Sequence, residues 1–216
     1  MLWDKDYKKS GRIWGENPGV LAIEAVRYLK KNKLDKKNHN ILDIGCGYGR
    51  DVFYLSYNTS CNILGIDVSK KAIEIAMDTV LKTGKGNIRF QCRDFTSLKE
   101  ENYDIIFASN VYQILNPPAR EALKNTVKET LKPGGLLFLA TLSTRDPEHY
   151  GKGMQVAGES NSFKDEKYIH FCTREELMKD FGFLNIKELY EQEYNEPRST
   201  GETHHHISWI LIGSQS

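Results

Sequence analysis

The chain has 216 residues, of which 39% are hydrophobic and 27% charged, and its formal net charge at pH 7 is +1. A chain of this length usually forms one domain. Its nearly equal numbers of basic and acidic residues argue against a dedicated binder of nucleic acid or another polyanion. The four cysteines form no C-x-x-C pair and no zinc pattern. Residues 1–15 lack the apolar segment of a signal peptide, and no apolar run is long enough to span a bilayer. We therefore expect a cytoplasmic protein with reduced thiols and no membrane contact.

Predicted helices and strands alternate along most of the chain. The first helix is expected to begin at Asn17 and Pro18, an N-cap and a proline at the first helical position. A capping box of Thr173 and Glu176 begins the last helix. Between them, short apolar runs predict strands and a 3.6-residue periodicity predicts helices. The strands are expected at 40–45, 62–67, 87–94, 103–110 and 136–143, and the helices at 50–58, 69–84 and 117–132.

The end of the chain differs from this alternation. Two β-rich segments, 183–194 and 204–213, are separated by about ten residues, which is too short for a crossover helix, so they are expected to pair as an antiparallel hairpin. We predict a doubly wound, Rossmann-like α/β fold with a sheet of about seven strands, mostly parallel with the last strand antiparallel. We assign residues 1–17 to an N-terminal arm and residues 18–216 to one domain, with a long segment without regular structure at 143–170.

A glycine-rich turn follows the first predicted strand, in the stretch ILDIGCGYGRD. Gly45, Gly47 and Gly49 form G-x-G-x-G, in which the third glycine comes one position earlier than in the dinucleotide fingerprint G-x-G-x-x-G. Glycine tolerates positive φ and lets a ligand approach the backbone. Alone, the pattern is weak, because a tight strand-to-helix turn would need the same residues.

Polar residues end the next three predicted strands. Asp67, 22 residues after Gly45, is placed to accept both hydroxyls of a ribose. Asp94 is followed by Phe95, a pair that suits the amino group and the flat face of an adenine. Asn110 ends the fourth strand. Since the carboxyl ends of parallel strands meet at one edge, where open α/β sheets bind ligands, these residues predict a single nucleoside-binding site.

In these motifs the chain resembles the class I S-adenosylmethionine-dependent methyltransferases. The matching stretches occur in the family's order within residues 41–143: LDIGCGYGRD, GIDVSKKAIEIA, CRDFTSL, YDIIFASNVYQIL and LKPGGLLFLATLS. The reversed final strand is a further family feature. The resemblance implies a class I methyltransferase domain over residues 18–216, S-adenosylmethionine as cofactor, and methyl transfer as the activity.

The resemblance also implies roles for individual residues. Asp43 and the backbone of residues 45–47, including Cys46, would serve the methionine moiety, and Asp67 the ribose. Val68 and Phe95 would flank the adenine, Asp94 would bond its amino group, and Asn110 would line the wall facing the methyl group.

The cofactor's charges agree with the acidic residues near the turn. S-adenosylmethionine carries a sulfonium and an ammonium but no phosphate, so Asp43 and Asp51 are tolerable beside it, whereas they would repel a phosphate. An equally good explanation of Asp51 is that it lies in the first turn of the helix predicted at 50–58, where an acidic side chain interacts favourably with the helix dipole. Tyr7 and Trp14 lie in the N-terminal arm, where aromatic residues often simply pack on a domain. We expect this arm to act as a lid over the cofactor, because methyl transfer requires a closed, dry site.

Three adjacent histidines begin the last predicted strand. His204 and His206 face one side of it and His205 the other, and the strand's reversed direction puts them at the cofactor edge. A metal site with His149 or His170 is conceivable, but no cysteine or acid spacing supports it, so an ordinary strand is favoured and no metal is predicted. We predict catalytic, substrate-side roles for His170, His204 and His206, with a polar rim of histidines as the alternative.

The acceptor is the least specified part of the prediction. The stretch NPPA at 116–119 resembles the Asn-Pro-Pro-aromatic motif of adenine-specific nucleic-acid methyltransferases. It begins six residues after Asn110, and Ala119 offers no ring to a flipped base, so a helix start is favoured. We predict a small-molecule acceptor that attacks the methyl group in line, with no nucleic-acid partner. The alternatives are a nucleic-acid or protein methyltransferase, a nicotinamide-dependent oxidoreductase and a non-catalytic S-adenosylmethionine-binding module. The sequence indicates no oligomeric state.

Overall fold

Seven strands form one main sheet in a computed structural model that describes residues 2–99, 101–197 and 201–216. The strands are β1 (Asn40–Ile44), β2 (Asn62–Asp67), β3 (Ile88–Cys92), β4 (Tyr103–Ser109), β5 (Leu131–Leu142), β9 (Leu184–Pro197) and β10 (Thr203–Gln215). Their order across the sheet is β3-β2-β1-β4-β5-β10-β9. β1 to β5 are parallel, whereas β10 is antiparallel to both β5 and β9. The predicted fold class, with the reversed last strand, is confirmed.

Six helices flank this sheet within the described residues. Ser69 and Thr173 each accept the backbone N–H three residues later and so cap their helices as predicted. Asn116 does the same for the helix that begins at Pro117, which confirms the helix start favoured for the NPPA stretch. The helices are α1 (Leu2–Ser10), α2 (Val20–Lys31), α3 (Arg50–Asn58), α4 (Lys70–Thr83), α5 (Pro117–Thr130) and α6 (Arg174–Asp180).

The start of α2 differs from the prediction. Its N-cap is Gly19 rather than Asn17, so Pro18 lies outside the helix. The Gly19 amide donates to Oδ1 of Asp51, 2.6 Å away on α3. A carboxylate from another helix therefore replaces the local side-chain cap, which the sequence around Asn17 does not reveal.

The segment 143–170 was predicted without regular structure, and this prediction is wrong. It contains β6 (Met154–Gln155), β7 (Ser162–Lys164) and β8 (Tyr168–His170), which form a small antiparallel sheet. Strands of two or three residues are too short to show a period-2 pattern. The segment is therefore a folded layer beside the carboxyl edge of the main sheet.

Hydrophobic side chains cover both faces of the main sheet. Along β1, Ile41 packs with the cluster under α2 and α3, and Leu42 packs with the cluster under α5 and α6, as the alternation of a strand requires. No helix within the described ranges is long and apolar enough to cross a membrane. The two buried faces leave the strand ends as the place where polar side chains gather.

Candidate cofactor site

A cavity of about 490 Å³ opens at the carboxyl edge of the main sheet, beside the ends of β1, β2 and β4. Its volume lies within the roughly 300–1,000 Å³ of pockets that enclose small ligands. His206 lines the cavity, whereas His170 and His204 do not. All residues predicted to bind the cofactor line it: Tyr7, Trp14, Asp43, Gly45, Cys46, Gly47, Asp67, Val68, Asp94, Phe95 and Asn110.

The glycine-rich turn is held to β2 by its backbone. The amides of Gly45 and Cys46 both donate to the carbonyl oxygen of Ile66, at 2.8 and 3.0 Å. Gly45 has φ +72°, and a Cβ there would lie 2.3 Å from Cγ2 of Val111. A side chain at this position would meet both that clash and the strain of a left-handed backbone. Glycine is therefore required by the packing of the turn itself.

Asp67 connects the end of β2 to the glycine-rich turn. One carboxylate oxygen accepts the Gly47 amide at 2.9 Å, and the other accepts the Ser69 amide at 2.7 Å. Burial raises the pKa of Asp67, and these amide hydrogen bonds counteract part of that effect. The two amide hydrogen bonds fix the carboxylate in place. Each oxygen still has lone-pair capacity, so the carboxylate can also accept hydrogen bonds from the two hydroxyls of a ribose.

Asp94 has a structural role beside its predicted binding role. Its Oδ1 accepts the Thr96 amide at 2.9 Å and the Thr96 hydroxyl at 2.7 Å, which caps the single-turn 3₁₀ helix Phe95–Ser97. The cap holds the half-buried ring of Phe95 against the same cavity. One carboxylate oxygen is thus used by the fold, and the other is available to an adenine amino group.

Three carboxyl groups crowd the cavity near the turn. Asp43 is 2% exposed, and burial, followed by the charges of Asp51 and Asp67, raises its pKa well above the ordinary value. Burial also raises the pKa of Asp51, which lies 3.8 Å from the Arg50 guanidinium. Asp51 therefore combines the cap of α2 with a place in the cavity wall. A site of this composition disfavours a phosphate and favours a cation.

Comparisons with known proteins agree with this geometry. A family model described as "Methyltransferase domain" matches residues 41–135. Phosphoethanolamine N-methyltransferase 1 of Triticum aestivum is 29% identical over 227 residues, covering 91% of this chain and 42% of that protein. EEF1A lysine methyltransferase 2 of Danio rerio is 26% identical over 157 residues, covering 64% of this chain and 66% of that protein. Residues 41–135 therefore match a methyltransferase domain, and the chain as a whole is similar to S-adenosylmethionine-dependent methyltransferases.

A solved methyltransferase structure that contains two bound ligands has the same fold as this chain. The 1,6-didemethyltoxoflavin-N1-methyltransferase of Burkholderia thailandensis, bound to 1,6-didemethyltoxoflavin and S-adenosylhomocysteine, is 14% identical, with a TM-score of 0.71 over 100% of this chain and 88% of that chain. S-adenosylmethionine is the cofactor of the family. The chain spans 39%, 29% and 66% of the length of the first three curated relatives that it matches.

The cavity walls fit this methyltransferase cofactor. Asn110 adopts φ +58°, unusual outside glycine, and its Oδ1 is buried without a hydrogen-bond partner among the described residues. An unsatisfied buried acceptor costs about 1–3 kcal/mol, and a strained backbone at such a position is typical of binding sites. An ammonium donor of S-adenosylmethionine would satisfy this oxygen, and Asp43 would gain a cationic neighbour.

The N-terminal arm lies over the glycine-rich turn. Tyr7 of α1 is 6% exposed, and its ring meets that of Tyr48 edge-on, with centroids 6.1 Å apart. The Tyr48 hydroxyl accepts the Trp14 amide at 3.1 Å and donates to the Gly15 carbonyl at 2.7 Å. Tyr7 and Trp14 therefore cover the cavity from the side, as a lid would, and that role remains a proposal.

A contact between distant segments lies at the wall of the cavity beside the arm. Nζ of Lys167 lies 2.6 Å from Oδ2 of Asp6 and 4.0 Å from the centroid of the Trp3 ring. Trp3 and Lys167 both line the cavity. Trp3 belongs to the predicted aromatic arm, whereas Lys167 was not singled out from the sequence, because its contact joins positions about 160 residues apart. The arm and the segment 143–170 are thereby joined.

Lys167→Met is expected to loosen this contact and leave the fold intact. The ion pair and the cation–π contact contribute roughly 1–2 kcal/mol together, so we expect S-adenosylhomocysteine to dissociate about 5- to 30-fold faster. Stopped-flow fluorescence of Trp3 and Trp14 would measure this rate. Lys152→Met is the matched control, because Lys152 pairs with Glu148 on the same segment and does not line the cavity. An equal change in both variants would contradict the lid.

Two histidines, His149 and His206, line the cavity beside the reversed strand β10. His206 is 3% exposed, and its Nδ1 lies 3.0 Å from Oδ2 of Asp146. Asp146 also accepts the Ile207 amide at 3.0 Å. Burial alone would raise the pKa of Asp146, but hydrogen bonds from His206 and two amides outweigh it and lower that pKa. The ionised carboxylate therefore fixes Nδ1 of His206 as a donor.

The predicted substrate contact of His170 is not supported by its position. Its Nδ1 lies 2.8 Å from the Ser162 hydroxyl and its Nε2 lies 2.7 Å from the Glu176 carboxylate. Glu176 therefore bonds His170 rather than closing the capping box on Thr173. Nδ1 therefore bonds within the small sheet and Nε2 joins that sheet to α6, and His170 does not line the cavity. His204 lies outside the cavity wall, although its ring is 5.8 Å from that of His149, which lines the cavity.

Arg50 and Glu196 are further charged residues of the cavity wall that the sequence did not indicate. Arg50 donates to the Trp14 carbonyl at 2.8 Å and to the Glu196 carboxylate at 2.9 Å. Both side chains are largely buried, so they connect the arm, the glycine-rich turn and β9 across the cavity. The position of Arg50 directly after the turn was the available signal, whereas Glu196 gave none.

Proposed function

We propose that the protein transfers a methyl group from S-adenosylmethionine to a small-molecule nucleophile enclosed in the cavity. The observation that carries this proposal is one continuous cavity that includes every predicted cofactor residue at one end and His149, His206 and Tyr194 at the other. The histidine end is the space left for an acceptor.

The closed roof of the cavity favours a small acceptor. Lys167 joins the arm to the segment 143–170 above the cavity, so a polymer strand or a side chain of a folded protein would have to break this contact to enter. The net charge of +1 adds no general attraction for nucleic acid. The relatives named above act, by their names, on phosphoethanolamine and on a lysine of EEF1A, so the family by itself does not select the acceptor.

The residues of the chain would act mainly by positioning. When bound, S-adenosylmethionine supplies an activated methyl group on a cationic sulfur. Asp67 would hold the ribose hydroxyls and Asp43 the ammonium. Tyr7 and Lys167 would exclude water, which strengthens these electrostatic contacts. Orientation of the acceptor in line with the methyl group would supply most of the acceleration.

Two measurements on the purified protein test the proposal. Calorimetry should show binding of S-adenosylmethionine and S-adenosylhomocysteine but not of NADH. With S-adenosylmethionine labelled in the methyl group, label should enter the low-molecular-weight fraction of a cell extract, separated from its tRNA and protein fractions.

Each contrary result identifies a different alternative. Label in tRNA or protein would show a macromolecular acceptor. Binding of S-adenosylmethionine without label in any fraction would indicate a non-catalytic binding module. Tight binding of NADH without S-adenosylmethionine would overturn the cofactor assignment and indicate an oxidoreductase.

A further inference from the structure

Three histidines from two distant segments converge beside the cavity. His149 follows β5, whereas His204 and His206 are alternate residues of β10 and share one face of that strand. One ring nitrogen from each lies within 4.8 Å of the other two. The ring centroids are 5.2 to 6.0 Å apart. His149 and His206 also line the cavity wall at the proposed acceptor end.

The buried carboxylate of Asp146 orients this histidine cluster. Its side chain is 0% exposed. Oδ2 lies 3.0 Å from Nδ1 of His206, and Oδ1 accepts the His149 amide at 2.8 Å. Asp146 therefore fixes the ring of His206 and the backbone of His149. A histidine that binds a metal usually donates its other ring N–H to such a carboxylate, and here that leaves Nε2 of His206 as the ligand atom.

The side chain of His204 also points to a ligand. Its Nδ1 is buried without a hydrogen-bond partner among the described residues. Its nearest acid, the Glu148 carboxylate, is 3.8 Å away. A bound cation would satisfy this nitrogen, and His204 does not line the cavity that the cofactor would occupy.

We propose that His149, His204 and His206 bind a divalent transition metal such as Zn²⁺, with an open coordination position toward the cavity. Three histidines and an open position form a common catalytic zinc site. Zinc–nitrogen bonds of about 2.0–2.1 Å require ligand nitrogens about 3.3 Å apart, so the rings would move together by rotation about their side-chain bonds. Neutral imidazoles suit zinc and related ions rather than Mg²⁺ or Ca²⁺.

The position of this site indicates the class of acceptor, an inference that rests on the proposed function. A metal at the acceptor end would bind the oxygen of a hydroxylated small molecule and lower the pKa of that hydroxyl. The hydroxyl proton would pass to solvent water. The oxygen lone pair would then form a bond to the methyl carbon, while the carbon–sulfur bond breaks and its electron pair stays on sulfur, giving S-adenosylhomocysteine.

Cobalt titration of the metal-free protein tests the site directly. Co²⁺ should bind with one ion per chain and show the visible absorption of a four-coordinate ion, and Zn²⁺ should displace it. His149→Gln and His204→Ala should each weaken Co²⁺ binding by at least about 100-fold, more than the roughly 10–100-fold typical of an outer hydrogen-bond partner. His205→Ala is the matched control, because His205 faces the other side of β10 and pairs with Glu193 at 2.8 Å.

The wild-type titration decides the proposal whether or not each variant folds. Absence of Co²⁺ binding by the wild-type protein would overturn it, as would an equal loss of affinity in His205→Ala and His204→Ala. Binding of S-adenosylhomocysteine to the metal-free protein is measured alongside. This result separates the two proposals, since its failure contradicts the cofactor assignment and leaves the metal result standing.

Discussion

Asp67→Asn is expected to weaken the binding of S-adenosylmethionine by about 100-fold. A carboxylate accepts both ribose hydroxyls, whereas an amide keeps a single acceptor oxygen and presents a donor at the other position. Hydrogen bonds to a charged group contribute about 1.5–3 kcal/mol each, and a loss of about 2.7 kcal/mol corresponds to a factor of 100 in Kd. Calorimetry with S-adenosylhomocysteine measures this change without turnover.

The control for this substitution lies at the opposite edge of the sheet. Asp104, at the start of β4, accepts the Asn40 amide and the Lys132 ammonium, each at 2.8 Å. Asp104→Asn therefore removes a comparable charge and similar hydrogen bonds, but it lies far from the cavity. We expect its cofactor affinity to stay within twofold of the wild type. Equal affinities in the two variants would show that the ribose is held elsewhere.

Asp43→Asn is expected to stabilise the cofactor-free protein and to weaken cofactor binding. Because the pKa of Asp43 is raised in the folded state by burial and by Asp51 and Asp67, folding takes up a proton at pH values above the ordinary aspartate pKa. Wild-type stability therefore falls as the pH rises through that raised pKa. Asparagine has no such proton, so the variant should unfold at a higher temperature at neutral pH, and the difference should disappear in acid.

The same linkage gives the binding of the cofactor a pH dependence. A cationic ligand favours the ionised form of Asp43, so wild-type affinity should rise with pH through the raised pKa, with release of a proton on binding. Calorimetry in two buffers with different ionisation enthalpies measures that proton. Asp43→Asn should bind about tenfold more weakly or worse, given about 1.5–3 kcal/mol for a hydrogen bond to a charged group, and should release no proton. A variant that is both less stable and unchanged in affinity would contradict this account.

The cofactor end of the cavity was predictable because its residues follow strands directly. The positions of Asp67, Asp94 and Asn110 depend on two local features, the apolar run that forms each strand and the residue that ends it. Parallel order then brings those ends to one edge. Residues with a second role in the fold were harder to interpret from the sequence. Asp51 is an example, because its hydrogen bond to the Gly19 amide at the start of α2 depends on how α2 and α3 pack together.

The acceptor end was only partly predictable for a corresponding reason. The reversed last strand put His206 at the correct edge, but its partner Asp146 and its neighbour His149 lie about 60 residues earlier in the chain. His170 stands at the end of the same segment, and the small sheet of that segment directs its ring to Glu176 instead. No local pattern distinguishes these outcomes, because they depend on the path of residues 143–170.

The amino-acid sequence by itself determined the fold class and the set of residues that meet at the carboxyl edge of the sheet. These properties follow from hydrophobic periodicity, glycine positions and the direction of each strand, which are all local. The tertiary structure alone decided the closure by Lys167 and Asp6, the separation of His170 from the cavity, and the meeting of His149, His204 and His206. Each of these depends on contacts between segments far apart in the chain, and the energy of such contacts exists only after the sheet and the segment 143–170 have packed together.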